Sequence, residues 1–231
     1  MFSIHKFRTL KSTNDKAKKY PVNSIIIADS QSKGRGRFKR SWVSRTGGIY
    51  ISFVILPKND NLGITTFLAS VAVNKTLLKE CSLETEIKWP NDILWNGKKL
   101  CGILSECVIK GTNKKMIIGI GLNVNNDIPQ KVEAISLKKI FNRDLNRERL
   151  ISALIYEFER IYREFYLKNR FDEIIGEWKS KCGTINREIR VRDMNKEFVC
   201  KAVGIDEECH LIVIDKKGAL KIIIEGDILH L

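Results

Sequence analysis

Acidic residues are almost missing from the first fifty positions, where Asp15 and Asp29 stand against twelve lysines and arginines. Ten of the fourteen surplus positive charges of the chain therefore lie in that stretch. So concentrated a field suits an anionic partner, whether a polymer, a nucleotide or an acidic protein. Long apolar runs are also lacking. The longest, residues 49–56, is far too short to cross a bilayer, and "MFSIHKFRTLK" at the start has no apolar stretch of signal-peptide length. A cytoplasmic protein with no membrane partner is expected. The six cysteines contain no C-x-x-C pair, which argues against a disulfide scaffold. His5, His210 and His230 are scattered and show no H-x-x-x-H spacing, so no metal site is expected.

What is present reads as a folded chain, with 43% hydrophobic and 29% charged residues over 231 positions. "STND", residues 12–15, matches a capping box and opens a short helix through Lys19. "SIIIADSQ" is a buried strand, and "GGIYISFVILP" a central one. Residues 65–81 form a mostly apolar helix. "EIKWPNDILWNGKKLCGILSECVI" reads as strand, turn at residues 90–92, strand, Asn96-Gly97 hairpin turn and strand from Leu100. "KKMIIGIGLNVN" supplies another strand. Leu150, Leu154, Phe158, Ile161 and Phe165 recur at helical spacing, which predicts one long amphipathic helix from Asn146 to about Lys168. Beyond Gly183 only short strands are expected, forming a small β-barrel. The division is a main domain over 1–184 and an appendage over 185–231.

Three stretches carry candidate chemistry. "SKGRGRFKRSW", residues 32–42, alternates Gly34 and Gly36 with Arg35 and Arg37, so backbone N–H groups can approach an anion while cationic side chains close around it. A solvated surface loop and an RNA-binding segment fit the same residues. Neither a Walker loop nor G-x-G-x-x-G occurs anywhere. In "KWPNDILWNGKK", a hairpin would fold Asp92 back toward Lys99, giving either an oriented ammonium group or a weak surface ion pair. In "GIGLNVN", Asn123 either reads a base edge or belongs to an ordinary packed strand.

The order of these stretches is more specific than any one of them. "STN", "Q-x-x-GRGR-x-x-R-x-W", "GG-x-Y-x-S", "KWPNDI", "KKL-x-GIL-x-E", "GIGLNVN" and "AISL" together resemble the biotin protein ligases over nearly the whole chain. The resemblance implies an α+β fold: a mixed β-sheet with flanking helices, akin to class II aminoacyl-tRNA synthetases, plus an SH3-like C-terminal barrel. It implies activation of biotin by ATP with Mg²⁺, giving biotinyl-5′-AMP. The biotinyl group then passes to a lysine on the biotin carboxyl carrier domain of a biotin-dependent carboxylase. By the same resemblance, Ser12, Thr13, Asn14 and Gln31 face the ureido ring, and Gly34, Arg35, Gly36, Arg37 and Gly102 complete the biotin site. Arg37, Arg40, Trp42, Asn91 and Asn123 attend the nucleotide. Lys99 bridges the biotin carboxyl and the α-phosphate, with Asp92 as its neighbouring carboxylate. Lys99, Asp92, Arg37 and Arg40 are thus the expected catalytic set, and the glycine-arginine loop a lid that keeps water from the adenylate.

One departure stands out: Ser44-Arg45-Thr46 occupies the place where the family often has serine-proline. The ligase motifs begin at residue 12, so no N-terminal helix-turn-helix and no DNA partner are expected. The basic first fifty residues point to an acidic acceptor, and the family often forms homodimers. A lipoate-activating enzyme of the same fold and a nucleic-acid-binding protein are the rival readings.

Overall fold

Alternation along two strands sets the layers. Ile49, Ile51, Phe53 and Ile55 in one stretch, and Met116, Ile118, Ile120 and Leu122 in another, all enter a single core. In a strand every second side chain shares a face, so the residues between them look the other way. A computed structural model describes residues 2–58, 61–193 and 196–231. The chain runs β1 (Ser3–Leu10), α1 (Thr13–Ala17), β2 (Ser24–Gln31), β3 (Ile49–Ile55) and α2 (Leu62–Cys81). It continues through β4 (Glu86–Lys88), β5 (Asp92–Trp95), β6 (Lys98–Lys110) and β7 (Asn113–Leu122). Then come α3 (Leu137–Phe141), α4 (Arg147–Ile161) and α5 (Phe171–Lys181). These strands form one sheet in the order β1-β2-β3-β7-β6-β5-β4. Only β1 and β2 run parallel, so the sheet is mixed.

The helices α2, α4 and α5 cover the core face of this sheet. Phe53 of β3 stacks on Phe158 of α4 at 3.7 Å between ring centroids, and Phe67 of α2 stacks on Trp178 of α5 at 3.9 Å. These near-parallel stacks join the sheet to α4 and α2 to α5. The opposite face is only partly covered. Ala17 of α1 packs there against Ile26, Val54 and Ile117, and the remainder is left for a site.

Two elements differ from expectation. Residues 3–10 form an edge strand that the sequence did not announce, because its side chains are mostly exposed and two are cationic. The long helix predicted to Lys168 ends at Ile161, passes through a π-turn at Tyr162–Tyr166 and a left-handed Asn169, and resumes as α5. In α5, Ile174 and Trp178 are buried four residues apart, a short stripe on an otherwise polar helix.

The remaining strands, β8 (Glu188–Asp193), β9 (Lys196–Ile205), β10 (Leu211–Asp215), β11 (Leu220–Ile223) and β12 (Asp227–His230), form an antiparallel sheet in the order β11-β10-β9-β8-β12. Among the described residues no ladder joins β11 to β12, so this sheet is open where a closed barrel was expected. It is fastened to the main sheet. Trp89 donates from Nε1 to the Cys209 carbonyl at 3.0 Å and from its backbone to Thr184 Oγ1 at 3.0 Å. Thr184 Oγ1 in turn lies 3.0 Å from His230 Nε2. Burial, with Lys88 and Arg187 close by, pushes His230 down to about 4; Glu86 stands 3.4 Å from its Nδ1.

That shift has a definite sign. Between the ordinary histidine value near 6.5 and about 4, the unfolded chain binds a proton that the folded chain refuses, so stability falls as the pH falls through this window. Thermal melts from pH 7 to pH 5 should show a falling Tm, and His230→Gln should flatten that dependence. An equal slope in the variant would take His230 out of the account.

Candidate active site

The face turned away from the helices has a floor made largely of glycine. On β6 it presents Gly102, Leu104 and Glu106, and on β7 Gly119 and Gly121. The register sets Gly102 opposite Gly121 and Leu104 opposite Gly119. A Cβ on Gly121 would stand 2.5 Å from Trp42 Nε1, and one on Gly102 would stand 3.0 Å from Trp42 Cζ3. The Trp42 indole therefore lies in a trough that only glycines leave open. Its Nε1–H is buried without a hydrogen-bond partner, a donor free for a ligand acceptor. Around this floor is a cavity of about 210 Å³.

Lys99 reaches the same face through a β-bulge. Simple alternation would turn Lys99 away from Gly102, three residues on. Between β5 and β6 the register shifts at Ile93/Leu94, so Leu100 and Cys101 both enter the core and Lys99 emerges into the cavity. There Lys99 Nζ lies 2.6 Å from Asp92 Oδ1 and 5.3 Å from the centre of the Trp42 ring. The hairpin turn that brings the pair together uses left-handed Asn96 (φ 46°) and Gly97 (φ 75°), as an Asn-Gly turn requires. Asn91 is tied down by donating from Nδ2 to the Ile103 carbonyl at 2.7 Å. Lys88, near Asp92 and Lys99, is pushed below its ordinary value by burial.

The far wall is α1. Ser12 caps it, accepting from the Asp15 N–H at 3.4 Å. Gln31 Oε1 accepts from the Thr13 backbone and hydroxyl, and Gln31 Nε2 donates to Ser44 Oγ at 2.8 Å. Asn14 is buried, and its Nδ2 donates to Glu106 Oε2 at 2.7 Å and to the Leu104 carbonyl at 3.2 Å. Its Oδ1 accepts from Ser52 at 2.7 Å, which leaves one lone pair for a ligand donor. Glu106 also holds Arg35 at 3.2 Å, so one carboxylate joins the wall to the loop above it.

The glycine-arginine loop folds across the mouth. Gly34 accepts from the Trp42 N–H at 2.9 Å, and the Gly36 N–H donates to the Arg40 carbonyl at 2.7 Å. Phe38 and Lys39 take left-handed backbone at the tip. Each arginine meets a carboxylate. Arg35 pairs with Asp15 at 2.7 Å as well as with Glu106, Arg40 with Asp227, and Arg37 with Glu225 at 3.8 Å. Arg37 also donates to the Gly226 carbonyl at 3.3 Å, and its burial draws the guanidinium below its ordinary value. The second sheet thus supplies part of the site.

Most expected residues line this one cavity. From the wall come Ser12, Thr13, Asn14 and Gln31, and from the loop Arg35, Gly36, Arg37, Arg40 and Trp42. Asn91, Asp92, Lys99 and Gly102 complete the set. Two expected residues are not in its lining. Gly34 sits behind it, where a Cβ would strike Ser44 Oγ, and buried Asn123 accepts at Oδ1 from Asn126 Nδ2 at 3.0 Å. Sequence reasoning gave no role to Glu106, Asp227, Val132 or the Gly119–Gly121 pair. Glu106 lies in a motif already noted, and the glycines alternate with isoleucines. Asp227 has no local signal at all.

The floor can be tested. Gly121→Ala should expel Trp42 and free the loop, so amides 33–45 should exchange hydrogen faster while those of α2 are unchanged. Unaltered loop protection would mean that the trough does not hold the tryptophan.

Fold and cavity together set the Lys99–Asp92 pair and a cationic loop over a glycine floor. The pattern of the biotin/lipoate A/B protein ligase family matches residues 4–123, and that of the biotin protein ligase C terminal domain matches 184–231. The chain belongs to the biotin/lipoate A/B protein ligase family. It is 37% identical over 214 residues to the bifunctional ligase/repressor of Bacillus subtilis, covering 87% of this chain and 65% of that protein. It is 34% identical to the biotin–[acetyl-CoA-carboxylase] ligase of Paracoccus denitrificans, covering 84% of this chain and 85% of that one. The solved biotin protein ligase of Aquifex aeolicus, in complex with biotin and ATP, superposes with a TM-score of 0.87 at 28% identity, covering 99% of this chain and 98% of that one. The chain spans just under two thirds of the length of the first of these relatives.

Proposed function

We propose that this chain is a biotin protein ligase: it activates biotin with ATP and passes the biotinyl group to a lysine of a biotin carboxyl carrier domain. The observation that carries the reading is the Lys99–Asp92 pair, set on a glycine floor between the neutral polar wall of α1 and three loop arginines. The wall suits the uncharged ureido ring, and the cations suit a carboxylate and a polyphosphate.

In this mechanism a biotin carboxylate oxygen attacks the α-phosphorus of ATP, and the bond to the pyrophosphate oxygen breaks with its electron pair. Two anions must meet, so the protein supplies fixed positive charge where negative charge builds up, not a nucleophile of its own. Lys99 bridges the carboxylate and the α-phosphate, and Asp92 holds its ammonium in place. Arg37 and Arg40 take the phosphates, Arg35 closes over biotin, and Trp42 and Asn91 flank the nucleotide. Mg²⁺ would enter with ATP as part of that substrate and would offset its phosphate charge. The loop acts as a lid over the adenylate.

Several finer features belong to the same proposal. A boundary at 184/185 is supported by the gap between α5 and β8, and the five short antiparallel strands support an SH3-like unit. The core sheet with helices on one face supports kinship with class II synthetases. The outer edge of β1, which ends the sheet order, supports pairing with a second copy. Among the described residues no helix is long and apolar enough to cross a membrane, which accords with a cytoplasmic site of action.

Pyrophosphate release from ATP, measured with biotin, with lipoate and with neither, tests the assignment. Biotin alone should support it; release with lipoate alone would give the rival activity. Lys99→Ala should lower that rate by about a hundredfold or more, the usual cost of removing one preorganised charge donor. Asp92→Ala should cost less, since it acts through Lys99, and the reverse ranking would overturn the division of roles.

The excess charge of the first fifty residues supports an acidic acceptor, because exposed cations raise association rate more than affinity. Such steering is screened over about 8 Å at physiological salt. Rising ionic strength should therefore slow transfer to the carrier domain more than acceptor-free adenylate formation. Equal salt sensitivity of both half-reactions would leave those lysines without that role.

A further inference from the structure

A second cleft, of about 1060 Å³, adjoins the cavity and shares Arg37, Asn91, Ile103 and Leu104 with it. Its walls come from the first turn of α2, from α5, and from the second sheet at the β9–β10 turn and beyond the end of β11. In a chain of net charge +14, Asp172, Glu207, Glu208 and Glu225 all line this cleft. The backbone that carries Glu207 and Glu208 is held in position. Asp206 Oδ1 accepts the backbone N–H of Glu208 at 3.0 Å and of His210 at 2.8 Å, which shapes the turn. Trp89 grips the Cys209 carbonyl, and Asn61 donates to the Glu207 carbonyl at 3.4 Å. Between the acids lie exposed apolar side chains: Phe38 at the loop tip, Leu62, and Ile224, which is 71% exposed.

We infer that this cleft admits the target lysine of the acceptor, with the acceptor surface around that lysine resting on Phe38, Leu62 and Ile224. The inference rests on the ligase reading above. Four carboxylates repel a polyphosphate and attract an ammonium group, so the cleft discriminates between the two charged substrates that the reaction must bring in. At the inner end the field reverses, because Arg37 and the adjoining Lys99 are cationic. A nearby positive charge favours the neutral amine, the form that reacts. The amine nitrogen gives its lone pair to the acyl carbon, the acyl C–O bond breaks, and AMP leaves with that pair. The two protons that the ammonium sheds in becoming an amide pass to solvent.

The test is charge reversal at two exposed positions, Asp172→Lys with Glu208→Lys, assayed with ATP, biotin and either a purified biotin carboxyl carrier domain or hydroxylamine as acceptor. Hydroxylamine is small and neutral and needs no docking surface. The variant should release pyrophosphate and form the hydroxamate within twofold of the native chain, while its KM for the carrier domain rises about tenfold or more. An unchanged KM for the carrier would overturn the inference, as would an equal loss with carrier and hydroxylamine. Failure of the native chain to release pyrophosphate with biotin would instead strike the ligase reading itself.

Discussion

The site depends on two missing side chains. Gly102 and Gly121 face each other across the β6–β7 ladder, and their bare backbone makes the trough in which Trp42 lies. A methyl group at either would meet Trp42 at 2.5–3.0 Å, closer than packed atoms tolerate. Because the trough is backbone, it is as rigid as the ladder that forms it. The opposite faces of the same strands carry isoleucines and leucines into the core, so the stability of the sheet and the shape of the cavity come from one alternation.

Cation placement follows from that floor. The bulge at Ile93/Leu94 lets two consecutive residues, Leu100 and Cys101, face the core and reverses the parity of everything before them. Lys99 then shares a side with Gly102. The loop arginines, by contrast, are held by carboxylates of the protein, and two of those anions belong to the second sheet. A phosphate that reaches Arg37 or Arg40 replaces an existing partner. The net gain per contact is therefore smaller than a bare guanidinium would give, because the existing ion pair is lost, a cost that solvation of the freed carboxylate only partly offsets.

How much of this was legible depends on the range of the interaction. The Asn96-Gly97 hairpin, the capped α1 and the buried strands announce themselves within a few residues, since turn chemistry and alternation are local. Lys99 and Asp92 could be paired from the turn between them. The bulge could not be read, because it shows only once β5 has a partner. Strand β1 was missed because an exposed edge needs no apolar alternation. Helix α5 was missed because two buried residues make too short a stripe. Asp227, 187 positions from the arginine it binds, lies beyond any local pattern. Asn123 and Gly34 show the opposite case: their motifs are plain in the sequence, but whether a residue lines the cavity or stands behind its wall is set by long-range packing.

Because Asp227 closes on a loop built from residues near the other end of the chain, the site is also ordered in time. Synthesis at about 5–20 residues per second separates Leu122, the end of the last floor strand, from Asp227 by roughly 5–20 s. During that interval the main sheet can form around its core while Arg40 has no partner on the second sheet. A nascent chain therefore passes through a stage with a finished floor and an unlatched mouth, and the ribosome sets how long that stage lasts.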